Sequence, residues 1–117
     1  MGIYRNKWYK ILLAQIYQQT KKFDEAADLY GDLLTIEPEN IEYMFMQANM
    51  LAGSGKIDEA VAVYNKMEQK TGINEQISLA KQQLFISSGE IQKAYDEIQL
   101  LIDNNPEEPK YYGLMAD

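Results

Sequence analysis

The chain has 117 residues, of which 46% are hydrophobic, with 18 acidic against 11 basic side chains and a formal net charge of −7. It contains no cysteine and no histidine, which excludes a disulfide, a cysteine nucleophile, a Ser-His-Asp triad and a Cys/His zinc site. Its length suits one compact domain, its hydrophobic fraction is too high for a disordered chain, and no apolar run approaches the roughly 20 residues that cross a bilayer.

In chain order, the opening is basic. Arg5, Lys7, Lys10, Lys21 and Lys22 precede the first acid, whereas residues 23–117 hold all 18 acids and only six lysines. The predominantly acidic surface disfavours general nucleic-acid binding. Met1-Gly2-Ile3-Tyr4-Arg5-Asn6 lacks the apolar core of a signal peptide, and Asn6 stands where a myristoylation motif requires Ser or Thr. Neither cytoplasm nor periplasm is excluded by this composition.

The next feature is a repeat of 34 residues without gaps. Phe23-Asp24-Glu25-Ala26 falls on Ile57-Asp58-Glu59-Ala60 and then on Ile91-Gln92-Lys93-Ala94. The same shift carries Tyr17 to Leu51 and Phe85, Tyr30 to Tyr64 and Ile98, Leu33 to Met67 and Leu101, and Pro38 to Gly72 and Pro106. Three repeats, 7–40, 41–74 and 75–108, fill most of a single domain spanning 1–117, and 109–117 opens a fourth.

Each repeat reads as two helices. In the first, Ile11, Leu13, Ala14, Ile16 and Tyr17 form one apolar helical face, and Phe23, Ala26, Ala27, Tyr30, Leu33 and Leu34 form another. Gly53-Ser54-Gly55 and Ser87-Ser88-Gly89 supply turns between paired helices. Glu37-Pro38-Glu39-Asn40 and Asn104-Asn105-Pro106 close the second helices. Ala26, Ala60 and Ala94 are small so that paired helices can approach closely.

This pattern resembles the tetratricopeptide repeat: Leu13-Ala14, Tyr17, Ala26, Tyr30 and Pro38 stand at that family's spacings, and the resemblance covers nearly the whole chain. It departs at Lys10, where the family has an aromatic, and at Gln47-Ala48 and Lys81-Gln82, where it has Leu-Gly or Leu-Ala. The third repeat's first helix is the weakest match. The resemblance implies an all-α fold, a right-handed α-α superhelix of three helical hairpins plus a partial fourth first helix. It also implies a fragment of a larger bacterial repeat protein.

Stacked helical pairs bury one another's apolar faces and leave a curved groove, which the resemblance assigns to the first helices. The groove candidates are Trp8, Ile11, Gln15, Phe45, Asn49, Leu79, Gln83 and Ile86, with Leu12, Met46 and Ala80 divided between groove and packing. Ile11, Phe45 and Leu79 recur at 34 residues as an apolar row, and Gln15, Asn49 and Gln83 flank it with amides. Such a row suits an extended or helical peptide, the amides bonding its backbone. The expected role is a non-enzymatic interaction scaffold binding a peptide or protein segment, with no catalytic residue, cofactor or metal. The alternative is a structural segment of a longer array or a self-associating module, using Tyr111, Tyr112, Leu114 and Met115. The carboxylate clamp known in this fold requires cations in the groove, and Ile11, Gln15, Met46, Gln76 and Ala80 supply none.

Other motifs have simpler readings. Gly53-Ser54-Gly55-Lys56 lacks a phosphate loop's first glycine and its final Ser or Thr, so it reads as a turn. Asp24, Asp28 and Asp32 form a solvated stripe rather than a cation site, and the Glu37/Glu39 and Glu107/Glu108 pairs flank prolines in polar turns rather than forming a buried acid pair.

Overall fold

The computed structural model describes residues 2–110 and Gly113, with side chains from Lys7 onward. Six helices follow in order: α1 Gly2–Gln19, α2 Phe23–Ile36, α3 Ile41–Gly53, α4 Ile57–Thr71, α5 Glu75–Ser87 and α6 Ile91–Asn104. Pro109 and Lys110 are helical again, and no strand occurs among the described residues. The chain divides into two compact units, Met1–Tyr64 and Asn65–Asp117, the boundary falling within α4.

The three turns inside the hairpins share one construction. At each, the residue after the first helix bends left-handed: Lys21 at φ 62°, Gly55 at 85° and Gly89 at 81°. Its N–H bonds back to Gln18, Ala52 or Ile86, and the next N–H reaches Tyr17, Leu51 or Phe85 at 2.7, 2.9 or 2.8 Å. This is the Schellman closure, which satisfies carbonyls that a helix end otherwise leaves open. Lys21 holds the position without glycine's freedom, a conformation that costs a side-chain-bearing residue about 1–2 kcal/mol.

The turns between hairpins are less uniform. Asn40 and Asn74, 34 residues apart, cap α3 and α5 by accepting from the N–H groups of Tyr43 at 3.0 Å and Ile77 at 2.9 Å, a bond worth about 1 kcal/mol. Their approaches differ, because Gly72 takes φ 83° where Pro38 stands in the previous copy. Proline's ring fixes φ near −65°, so the two turns are equivalent in sequence position and not in backbone path.

In the first unit, α2 packs against both α1 and α3. Ala14, Ala26, Leu33, Ala48 and Ala60 are wholly enclosed, with Tyr30 and Tyr64 nearly so. Zero-sized side chains at the alanines let the helices close up, and the aromatic and aliphatic residues then fill the space between contacts. Gly53 extends that logic: a Cβ there would sit 3.0–3.2 Å from the Phe23 ring. The expected α1 face is buried at Ala14 and half-buried at Ile11, Leu13 and Tyr17, but Ile16 is 54% exposed.

In the second unit, α5 and α6 pack against each other. Met67, Ile77, Ile98 and Leu101 are enclosed, and Leu79 lies against the Ile98, Leu101 and Ile102 cluster. Each fully buried side chain of this size contributes about 1.5–3 kcal/mol relative to exposure. The repeat register therefore recurs in burial: Ala26, Ala60 and Ala94, then Leu33, Met67 and Leu101, are buried in every copy.

Candidate protein-binding face

The first helices α1 and α3 belong to the first unit, and their groove candidates differ in how firmly the chain holds them. On α1, Trp8 is 61% exposed, Gln15 is exposed and Ile11 is half-buried. Positions 8, 11 and 15 follow each other at three- and four-residue steps, which places them on one side of the helix.

On α3 the pair is more tightly fixed. Phe45 is half-buried and meets Tyr64 edge to face, with ring centroids 5.5 Å apart at 77°, the arrangement that aromatic quadrupoles favour. The Tyr64 hydroxyl donates to Asn49 Oδ1 at 2.9 Å. Tyr64 is buried, and burial raises its phenol above the ordinary value, so it stays a neutral donor. One core tyrosine thus orients both α3 candidates. Accepting that bond leaves the Asn49 amide N–H groups to face outward.

On α5, in the second unit, Gln83 is exposed and Ile86 is 45% exposed, whereas Leu79 is half-buried against its own hairpin's core. Tyr111, Tyr112, Leu114 and Met115 lie outside the described residues.

A polar cluster not anticipated from sequence sits beside the turn into α3. Lys7 pairs with Glu37, and Glu37 lies within reach of the Asn40 amide at 3.4 Å and the Tyr43 hydroxyl at 3.5 Å. The hydrogen bond from Lys7 holds the Glu37 carboxyl below its ordinary range, and Lys7 is raised in return. Desolvation and then the Glu37 charge push the Tyr43 phenol up. The recurring asparagine cap is a sequence signal for this turn; the lysine thirty residues earlier offers none.

The outward stripe of α2 is exposed at Asp24, Asp28 and Asp32. Two of these carboxylates meet lysines of the same unit, Asp24 with Lys56 at 3.3 Å and Asp32 with Lys10 at 3.1 Å. Among the described residues no group of three or more acidic side chains is placed to hold a metal ion, and no helix is long and apolar enough to cross a membrane.

The hairpin of α1 and α2, with the turn that follows it, is the stretch that decides kinship. Residues 6–40 match the family model described as tetratricopeptide repeat, and five core positions of that hairpin recur through the later ones. The chain belongs to the tetratricopeptide repeat family. No curated protein matches the chain. Tetratricopeptide repeats generally serve as protein-interaction modules and are typically non-enzymatic scaffolds. In this tetratricopeptide repeat chain the positions corresponding to the carboxylate clamp are Ile11, Gln15, Met46, Gln76 and Ala80, a set of aliphatic and amide side chains without a cation.

Proposed function

We propose that the chain is a non-enzymatic scaffold that holds a peptide or protein segment on the first-helix side of its first unit. The observation that carries this reading is the Tyr64-anchored pair on α3. A core residue presents Phe45 as an apolar contact and Asn49 as an amide donor. Trp8 and Gln15 repeat that aromatic-plus-amide combination on α1, both exposed.

Rigid aromatics lose little conformational entropy on binding and contribute most where a partner covers them. Neighbouring amides satisfy the backbone of a bound segment that has no partner strand of its own. With no lysine or arginine among these four side chains, the surface favours recognition through apolar side chains and main chain over capture of a terminal carboxylate.

The test starts from a displayed library of random peptides selected on the immobilised chain, followed by calorimetric titration of the enriched peptide. Phe45→Ala is expected to weaken binding about 30-fold, the equivalent of a hot spot of roughly 2 kcal/mol, while circular dichroism stays helical. Unchanged affinity would remove Phe45 from the site, and an enriched peptide insensitive to Phe45→Ala, Asn49→Ala and Trp8→Ala together would refute the reading.

A further inference from the structure

Two helix faces outside the proposed peptide site are apolar and open. On α1, Tyr9 is 64%, Leu12 58% and Ile16 54% exposed. Steps of three and four residues place them on one stripe. On α6, Ile91 is 47% and Tyr95 36% exposed, again a step of four.

The repeat shows what each face is shaped to meet. Thirty-four residues after the α1 stripe, α3 carries Tyr43, Met46 and Met50 in the same register. There Met50 is only 5% exposed, and Tyr43 and Met46 are half-buried. Their cover is on the page: α2 packs on α3, the Tyr30 and Tyr43 rings meet with centroids 6.4 Å apart, and Gly31 admits the Gln47 amide. On the covering side, Phe23 and Ala27 of α2 are half-buried and buried, and Ile91 and Tyr95 of α6 stand at those two positions. One chain therefore carries, uncovered, a first-helix half and a second-helix half of the joint that α2 and α3 make internally.

We propose that a second copy of this chain covers the α1 stripe with the open face of its α6, in a head-to-tail contact. Charge favours that pairing over α1 against α1. Helix α1 carries Arg5, Lys7 and Lys10 and no acid, whereas α6 carries Asp96, Glu97 and Asp103 against Lys93. Two α1 helices would bring like charges together; α1 and α6 bring opposite ones, with Lys21 and Lys22 adding to the basic side. Contacts between unlike patches leave each partner with one of each still open, so association continues past the first pair unless it closes.

The experiment is sedimentation velocity on the full chain across concentration at low and high salt. Mass is expected to rise with concentration and to fall back as salt screens the contact. Ile16→Glu and Tyr95→Glu, each blocking one face, are expected to be monomeric alone and to form a 1:1 dimer when mixed, since each retains the half that the other lost. Tyr9→Glu replaces Ile16→Glu if circular dichroism shows lost helicity. Phe45→Ala should associate as the wild type does, which separates this contact from the peptide site. A wild-type chain that remains monomeric at low salt, a Tyr95→Glu variant that still associates, or two blocked variants that fail to pair would overturn the proposal.

Discussion

The ammonium of Lys81 lies 3.1 Å from Glu97 Oε2 inside the second unit, and 3.0 Å from Glu68 Oε1 on its other side. Lys81 is 4% and Glu97 7% exposed. In the first repeat the corresponding positions are Leu13, Leu29 and Leu34, so three aliphatic positions have been exchanged together for one cation between two anions. Glu68 Oε2, Glu97 Oε1 and the neighbouring Ser78 Oγ are buried without hydrogen-bond partners. The trio carries one more anion than it has cations to pair.

Removing the cation should be costly. Lys81→Met leaves two carboxylates facing each other in the interior, and we expect a loss of about 3–5 kcal/mol, the usual result of breaking a buried ion pair from one side. The combined variant Lys81→Met, Glu97→Leu, Glu68→Leu restores the aliphatic pattern and should recover that loss or exceed it. Urea denaturation of the single and triple variants measures both; a single variant as stable as the wild type would show that the pairing carries no net stability.

The pH dependence follows from Glu97. Burial raises its carboxyl above the ordinary 4.5, and Glu68 and Asp96 raise it further, while Lys81 opposes them. The folded chain thus binds more protons than the unfolded chain in the window above 4.5, and stability falls as pH rises through it. Glu37 acts oppositely: its lowered carboxyl stabilises the fold above the ordinary value and loses that contribution as pH falls. Glu97→Gln is expected to flatten the decline above 4.5 and raise the melting temperature at neutral pH, leaving the acid-side loss intact. Thermal melts across pH detect the difference.

Helix number, hairpin pairing and core register were legible because the 34-residue recurrence fixes aromatic, small and breaker positions independently of any single propensity. The turn chemistry was legible where glycine marks it, at Gly55 and Gly89, and not at Lys21, whose left-handed backbone is imposed by the same closure on an unfavourable residue. Lys81 broke the pattern visibly at Lys81-Gln82, but its partners sit 13 residues before and 16 after. Only the packing of α4, α5 and α6 reveals that three substitutions compensate one another. The exposure of Ile16 escaped for the reverse reason: its spacing is that of a core residue, and what it lacks is the helix that covers Met50 in the next copy.

The strained turn gives a stabilising variant. Lys21→Gly should raise stability by about 0.5–1 kcal/mol, the left-handed penalty removed less the entropy glycine adds to the unfolded chain. Gly55→Ala and Gly89→Ala, at φ 85° and 81°, should lower it by about 1 kcal/mol each. Differential scanning calorimetry resolves both signs, and equal shifts from all three would mean that the Schellman closure does not impose the strain.

Close packing at the α2–α3 corner predicts sensitivity to a single methyl. Gly53→Ala drives a Cβ to within 3.0–3.2 Å of the Phe23 ring, and overpacking of this kind costs about 1–3 kcal/mol. Phe23→Leu in the same chain should relieve part of the loss, a coupling that a double-mutant cycle quantifies.

The most direct test of the binding account is a heteronuclear NMR titration of the labelled chain with a peptide enriched from the random library. The account predicts amide and side-chain shifts confined to Trp8, Ile11, Gln15, Phe45 and Asn49 and their immediate neighbours, with the Trp8 indole among the largest. Shifts centred instead on Asp24, Asp28 and Asp32 of α2, with the first helices unmoved, would contradict it.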